Sequence, residues 1–184
     1  MKSVTFFVIL NYSHREMMNM MIDWIALLLQ NFGFSMLILA LFFILLSKII
    51  NPRLALSETV FRWIVVFPLG FTAIYAFIFH AFCPQLSAQA IGWQPSPFQF
   101  EVAMANLGFG VIAILAFKAS LGFRLATVIG NTLWLWGDAV GHIYQMVINN
   151  NYAIGNAGSW FWMDVFIPLI LILSIIQLRK PAIR

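Results

Sequence analysis

Long apolar runs separated by short connections dominate this chain, and they constrain its fold more than any motif does. A helix needs about 20 mainly apolar residues to cross a hydrocarbon core of roughly 30 Å. Five stretches meet that requirement: Ile22–Leu46, Val60–Phe82, Phe98–Phe117, Phe123–Ile148 and Trp160–Leu178. Of 184 residues, 62% are hydrophobic and 9% charged, too few charges to clothe a water-soluble globule. A soluble domain, a disordered chain and a nucleic-acid binder are excluded on that ground. The expected fold is all-α, an integral membrane helical bundle of about five transmembrane helices. It occupies residues 22–178, between an N-terminal tail (1–21) and a C-terminal tail (179–184), with the lipid bilayer as its first partner.

Basic residues predict the orientation. Lys48, Arg53 and Arg62 flank the first connection, Lys118 and Arg124 the third, and Arg179, Lys180 and Arg184 end the chain. The second and fourth connections, 83–97 and 149–159, hold no lysine or arginine. By the positive-inside rule the C-terminus is cytoplasmic and the N-terminus outside. Lys2 and Arg15 run against this pattern. The apolar stretch Val4–Leu10 is too short to span and lacks a small-residue cleavage site, so a signal peptide is not expected. Met17, Met18, Met20 and Met21 read as an amphipathic lead-in, with a soft-metal lure as the alternative. Cys83, the single cysteine, allows no internal disulfide.

An ionisable side chain at a membrane helix centre costs at least about 2.5–3.5 kcal/mol, and such residues normally mark function. In this chain they share one depth. Asp23 in the first span, His80 in the second, Gln99, Glu101 and Asn106 in the third, Asp138, His142 and Gln145 in the fourth, and Asp164 in the fifth all favour the outer side, with Asn131 near the middle of the fourth. The inner halves are close to dry, which disfavours a pore or an alternating-access carrier. Asn131, Asp138, His142 and Gln145 form one stripe, with Asp138 and His142 at i, i+4. Gly137 and Gly141 bracket that pair as a small-xxx-small pattern that admits a neighbouring helix. Ser96, Pro97 and Gln99 read as a capping box that sets the register of Glu101. Pro68 and Pro168 are expected to kink the second and fifth spans.

Glu101, Asp138, His142 and His80 are the candidate metal ligands, with Asp164 as a further member, and a divalent metal ion is one candidate cofactor. Glu101, Asn106, Asp138, His142 and Gln145 are the candidate ligand-binding set. The expected function is an outward-facing polar pocket, between the third and fourth spans, that binds a metal ion or small ligand. The alternative is an accessory or structural subunit whose polar network locks its own helices, a second copy or a membrane partner. A proton-coupled carrier is third. No phosphate loop, nucleophile elbow, H-E-x-x-H or CxxC is present to name a catalytic group.

Two strings also carry a resemblance. Gly92-Trp-Gln-Pro-Ser-Pro-Phe-Gln-Phe-Glu101, continuing through Ala105-Asn106-Leu107 to Gly110, and Gly137-Asp-Ala-Val-Gly-His142 resemble a family of small bacterial multi-pass membrane proteins of unknown function. The resemblance implies a bacterial inner membrane and draws attention to Glu101, Asn106, Asp138 and His142. It implies no activity.

Overall fold

The computed structural model describes the backbone of residues 2–179 and the side chains of residues 15–179. Lys2, Lys180 and Arg184, which entered the topology reading, therefore lie outside the described side chains. The described chain is almost wholly helical, without a strand. Its elements are α1 (Lys2–Gln30), α2 (Phe32–Ile50), α3 (Leu56–Ile64), α4 (Thr72–Phe82), α5 (Pro84–Ile91), α6 (Phe98–Leu115), α7 (Leu121–Asn149), α8 (Ile154–Ala157) and α9 (Ser159–Leu178). A π-helical stretch, Val65–Phe71, joins α3 to α4 into one continuous helix, and a 3₁₀ turn, Ala116–Lys118, ends α6.

Four helices are long and apolar enough to cross a membrane: Phe32–Ile50, Leu56–Phe82, Phe98–Lys118 and Ile154–Leu178. Two differ from the sequence expectation. The first span begins at Phe32 rather than Ile22, because α1 ends at Gln30 and Asn31 forms a turn before α2. The fourth expected span forms as α7 but is absent from the four, since the polar row from Arg124 through Gln145 dilutes its apolar character.

The chain divides into two compact units, residues 1–32 and 33–184. In the first, α1 exposes Met17, Met18, Met20 and Met21. The second is the bundle. Its core is Phe61, Ile64, Val65 and Leu69 packed with Ala113, Ala116 and Val128, and with Met163, Ile167, Leu171 and Ile175 of α9. Phe43 of α2 stacks on Trp63 and Phe67, and Trp63 donates its indole N–H to Ser47. Within the bundle α4 lies along α6, and α7 along α9.

Pro68 does interrupt its helix, and the consequence is a π bulge rather than a simple bend. The bulge brings backbone to backbone. A Cβ on Gly110 would stand 3.0 Å from the Gly70 carbonyl oxygen and 3.1 Å from Ala73 Cβ. Gly108, half a turn away, has nothing within 4 Å of such an atom. Gly110→Ala is therefore expected to destabilise by about 1–3 kcal/mol through overpacking, although alanine is the better helix former by about 1 kcal/mol. Gly108→Ala keeps that propensity gain. Paired thermal unfolding scans in detergent check the sign difference.

A buried clamp closes the basic end. Arg124 is 8% exposed. Its guanidinium donates to both carboxylate oxygens of Glu58 at 2.7 and 3.0 Å. It also donates to the Ala116 and Phe117 carbonyls at the end of α6, where helix carbonyls run short of backbone donors. It rests over the Phe61 ring, 4.9 Å from the centroid. Arg62 pairs with the same Glu58.

Candidate functional site

Within the second unit, the described segments at the end opposite the clamp carry no lysine or arginine. Residues 125–178 contain none, and neither does the connection 83–97. Two ionisable groups, His142 of α7 and Asp164 of α9, meet there, with Asp138 on the same stretch of α7. His142 is buried on α7, one turn beyond Asp138, which is half-buried. Asp164, one turn before Pro168 on α9, brings Oδ2 to 3.6 Å from His142 Nε2. Both side chains keep only a narrow accessible edge, 11% for His142 and 14% for Asp164. Asp138 is close enough to Asp164 to interact electrostatically with it. Pro168, one turn further along α9, has no N–H to donate within its helix. Trp136 ties the two helices by donating to the Val165 carbonyl at 3.3 Å.

The other side of His142 is held by the connections. Asn156 of α8 has no exposed surface. Its Oδ1 lies 2.8 Å from His142 Nδ1 and accepts from Trp93 Nε1 at 2.9 Å. Its Nδ2 donates to the carbonyls of His142 at 3.2 Å and Asn151 at 2.9 Å. Asn151 in turn donates to Ile91 O, and the Trp93 ring leans on the imidazole with centroids 5.6 Å apart. Local geometry explains why these loops can approach. Gly92 takes a left-handed conformation at φ 69°, and a Cβ on Gly155 would fall 2.6 Å from the Ala90 carbonyl oxygen. Only glycine fits at either position.

Most of the other residues singled out from sequence lie elsewhere. Glu101 is exposed on α6, and no hydrogen bond or ion pair joins it to Asp138 or His142. His80 stands beside Gln99, whose amide donates to the Pro84 carbonyl at 2.8 Å and lies 3.2 Å from His80 Nδ1. That corrects the capping box. Gln99 serves the α4–α6 junction, while Ser96 Oγ still accepts from Phe98 N–H. Asn106 donates to its own helix at Val102 O, and Gln145 accepts from Asn149. The small-xxx-small pattern admits no helix: Gly141 faces Trp93, and Gly137 has open space.

Among the described residues no three His, Cys, Asp or Glu side chains are grouped so as to hold a metal ion. The inner half of α7 is less dry than expected, for Thr127 and Asn131 are buried. Both turn back on their own helix, to Phe123 O and Thr127 O, so they extend no path from the outer cluster. Sequence reasoning missed Asn156, Asn151 and the Arg124–Glu58 clamp. Only the last left a signal, Glu58 being the one acid at the basic end.

Fold and site together define a membrane-type helical bundle with a histidine–aspartate pair buried between its last two long helices. The chain belongs to DUF6790, a family of unknown function, whose sequence profile matches residues 30–182. No curated protein and no solved structure matches it. The matched region covers the bundle from the start of α2, so the histidine–aspartate pair falls inside it.

Proposed function

We propose that this protein is a multi-pass membrane protein that binds a small cation at Asp138, His142 and Asp164, on the outer side of a bacterial inner membrane. The positive-inside pattern supports that orientation, with α7 crossing as a fifth span that turns its polar face inward. One observation carries the binding reading: His142 Nε2 and Asp164 Oδ2 face each other at 3.6 Å, with Asp138 nearby, in a segment without lysine or arginine. Two carboxylates leave water only when their charge is compensated. His142 compensates one of them at most. The second needs a proton or a bound cation.

The alternative of a purely structural lock draws on Asn156, which uses both ends of its amide to tie two loops to α7. One measurement separates the two readings. Unfolding of the purified protein is followed against pH and against added sodium, potassium, ammonium and zinc, for wild type and Asp138→Asn/Asp164→Asn. Cation binding predicts that wild type responds to at least one of these, by about 2–4 °C in Tm per kcal/mol of differential binding, and that the double variant does not. A double variant that responds as wild type does, or a wild type that responds to none, defeats the proposal in favour of the lock.

A further inference from the structure

We infer that the cation is a proton, exchanged on the His142–Asp164 axis, and that Asn156 is the positioning residue that decides which imidazole nitrogen takes part. This rests on the binding reading above and names its ligand. The argument starts at the Asn156 amide. Two of its partners, the carbonyls of His142 and Asn151, can only accept, and a third, Trp93 Nε1, can only donate. Those three fix which end of the amide is oxygen. The oxygen end faces His142 Nδ1 at 2.8 Å, so Nδ1 must carry a hydrogen and donate it. The lone pair of a neutral His142 is thereby placed on Nε2, the nitrogen that faces Asp164.

A lone pair facing an ionised carboxylate at 3.6 Å is acceptor against acceptor. At 3.6 Å the pair makes no direct hydrogen bond, so the proton that removes the conflict sits on one of the two groups and passes to the other through water. In one form Nε2–H is charged and Asp164 is a carboxylate. In the other the Nε2–H bond has broken, an O–H bond has formed on Oδ2, and both groups are neutral. The transfer conserves charge and leaves the Nδ1–H···Asn156 bond intact, so the loops need not move as the proton shifts. Proton exchange with water, through the accessible edges of both side chains, adds or removes the second charge.

Few other groups can compete for this proton. α9 contributes only Asp164, α7 adds Asp138 beside it, and α8 has no titratable group. On α6 Glu101 is exposed and unlinked, and His80 of α4 is engaged with Gln99. Among the described residues Asp138, His142 and Asp164 are not grouped closely enough to supply together the three or four ligands that zinc takes from protein. A proton needs no shell.

The test reads the imidazole directly. Protein labelled with ¹⁵N in histidine is reconstituted in nanodiscs, and His142 is identified among the three histidines by its loss in His142→Gln. Wild type is expected to show the Nδ1–H tautomer when neutral and to gain its second proton at Nε2. Asn156→Leu is expected to release the ring to the Nε2–H tautomer. If that variant does not fold, Asp164→Asn serves: it must keep the Nδ1–H tautomer and lose the infrared carbonyl band of a protonated Asp164. An Nε2–H tautomer in wild type, or no pH-dependent carboxyl band assignable to Asp164, overturns the inference. Should stability respond to sodium or zinc but not to pH, cation binding survives and the proton is rejected.

Discussion

Replacing Arg124 with leucine is expected to cost about 3–5 kcal/mol, the usual penalty for breaking a buried ion pair by removing one partner. The site explains why the cost is high. Four donations end at once, two to Glu58 and one each to the Ala116 and Phe117 carbonyls. The guanidinium also leaves the face of Phe61. Glu58→Leu is expected to cost a similar amount by stranding Arg124 in the core without its counter-charge. The double variant should cost clearly less than the two singles combined, because a well-packed apolar pair can replace a buried ion pair nearly neutrally. Arg124→Lys should recover only part of the loss, since an ammonium cannot bridge a carboxylate and two carbonyls with a planar fork. Thermal unfolding of the four proteins in one detergent completes the cycle. Single losses below about 1 kcal/mol would reduce the clamp to an ordinary surface pair.

How much of this was legible in the sequence follows from what each feature depends on. Helices at α2, α4, α6 and α9 are visible because hydropathy is summed over a whole span and survives errors at any single position. The break at Asn31 is not visible that way, since it falls at a single residue inside an apolar run. Asp138 and His142 can be paired by spacing alone, because both lie on one helix. Their partner was harder to find. Glu101 and Asp164 sit at similar depth in sequence terms, and only the packing of α7 along α9 selects Asp164. Asn156 left no trace at all. An asparagine in a loop of asparagines and glycines reads as turn chemistry, and nothing local says that its amide meets an imidazole fourteen residues away. Arg124 illustrates the opposite error. As a basic residue of the third connection it marks topology, yet its side chain is buried against Glu58 and Phe61.

Asn156→Ala is the substitution expected to act most strongly at the other end. It leaves two donors, Trp93 Nε1 and His142 Nδ1, and two carbonyls, those of His142 and Asn151, without this partner. At about 1 kcal/mol net for each bond, and more where a buried group stays unsatisfied, the loss comes to about 3–5 kcal/mol. Asn156→Asp is not expected to rescue it. A carboxylate can accept from the indole and the imidazole but can donate to neither carbonyl, and it adds a third acid to a cluster without lysine or arginine. The disturbance should also be local, because the Arg124 clamp and the Phe61–Leu171 core share no residue with the Asn156 network. Amide hydrogen exchange in nanodiscs resolves this: residues 84–97 and 150–158 should exchange faster in Asn156→Ala while α3 and the inner half of α9 keep their protection. Uniformly faster exchange would mean that the amide supports the whole bundle rather than the lid over His142. Unchanged exchange would mean that the loops hold each other through Asn151 and the close glycine contacts alone.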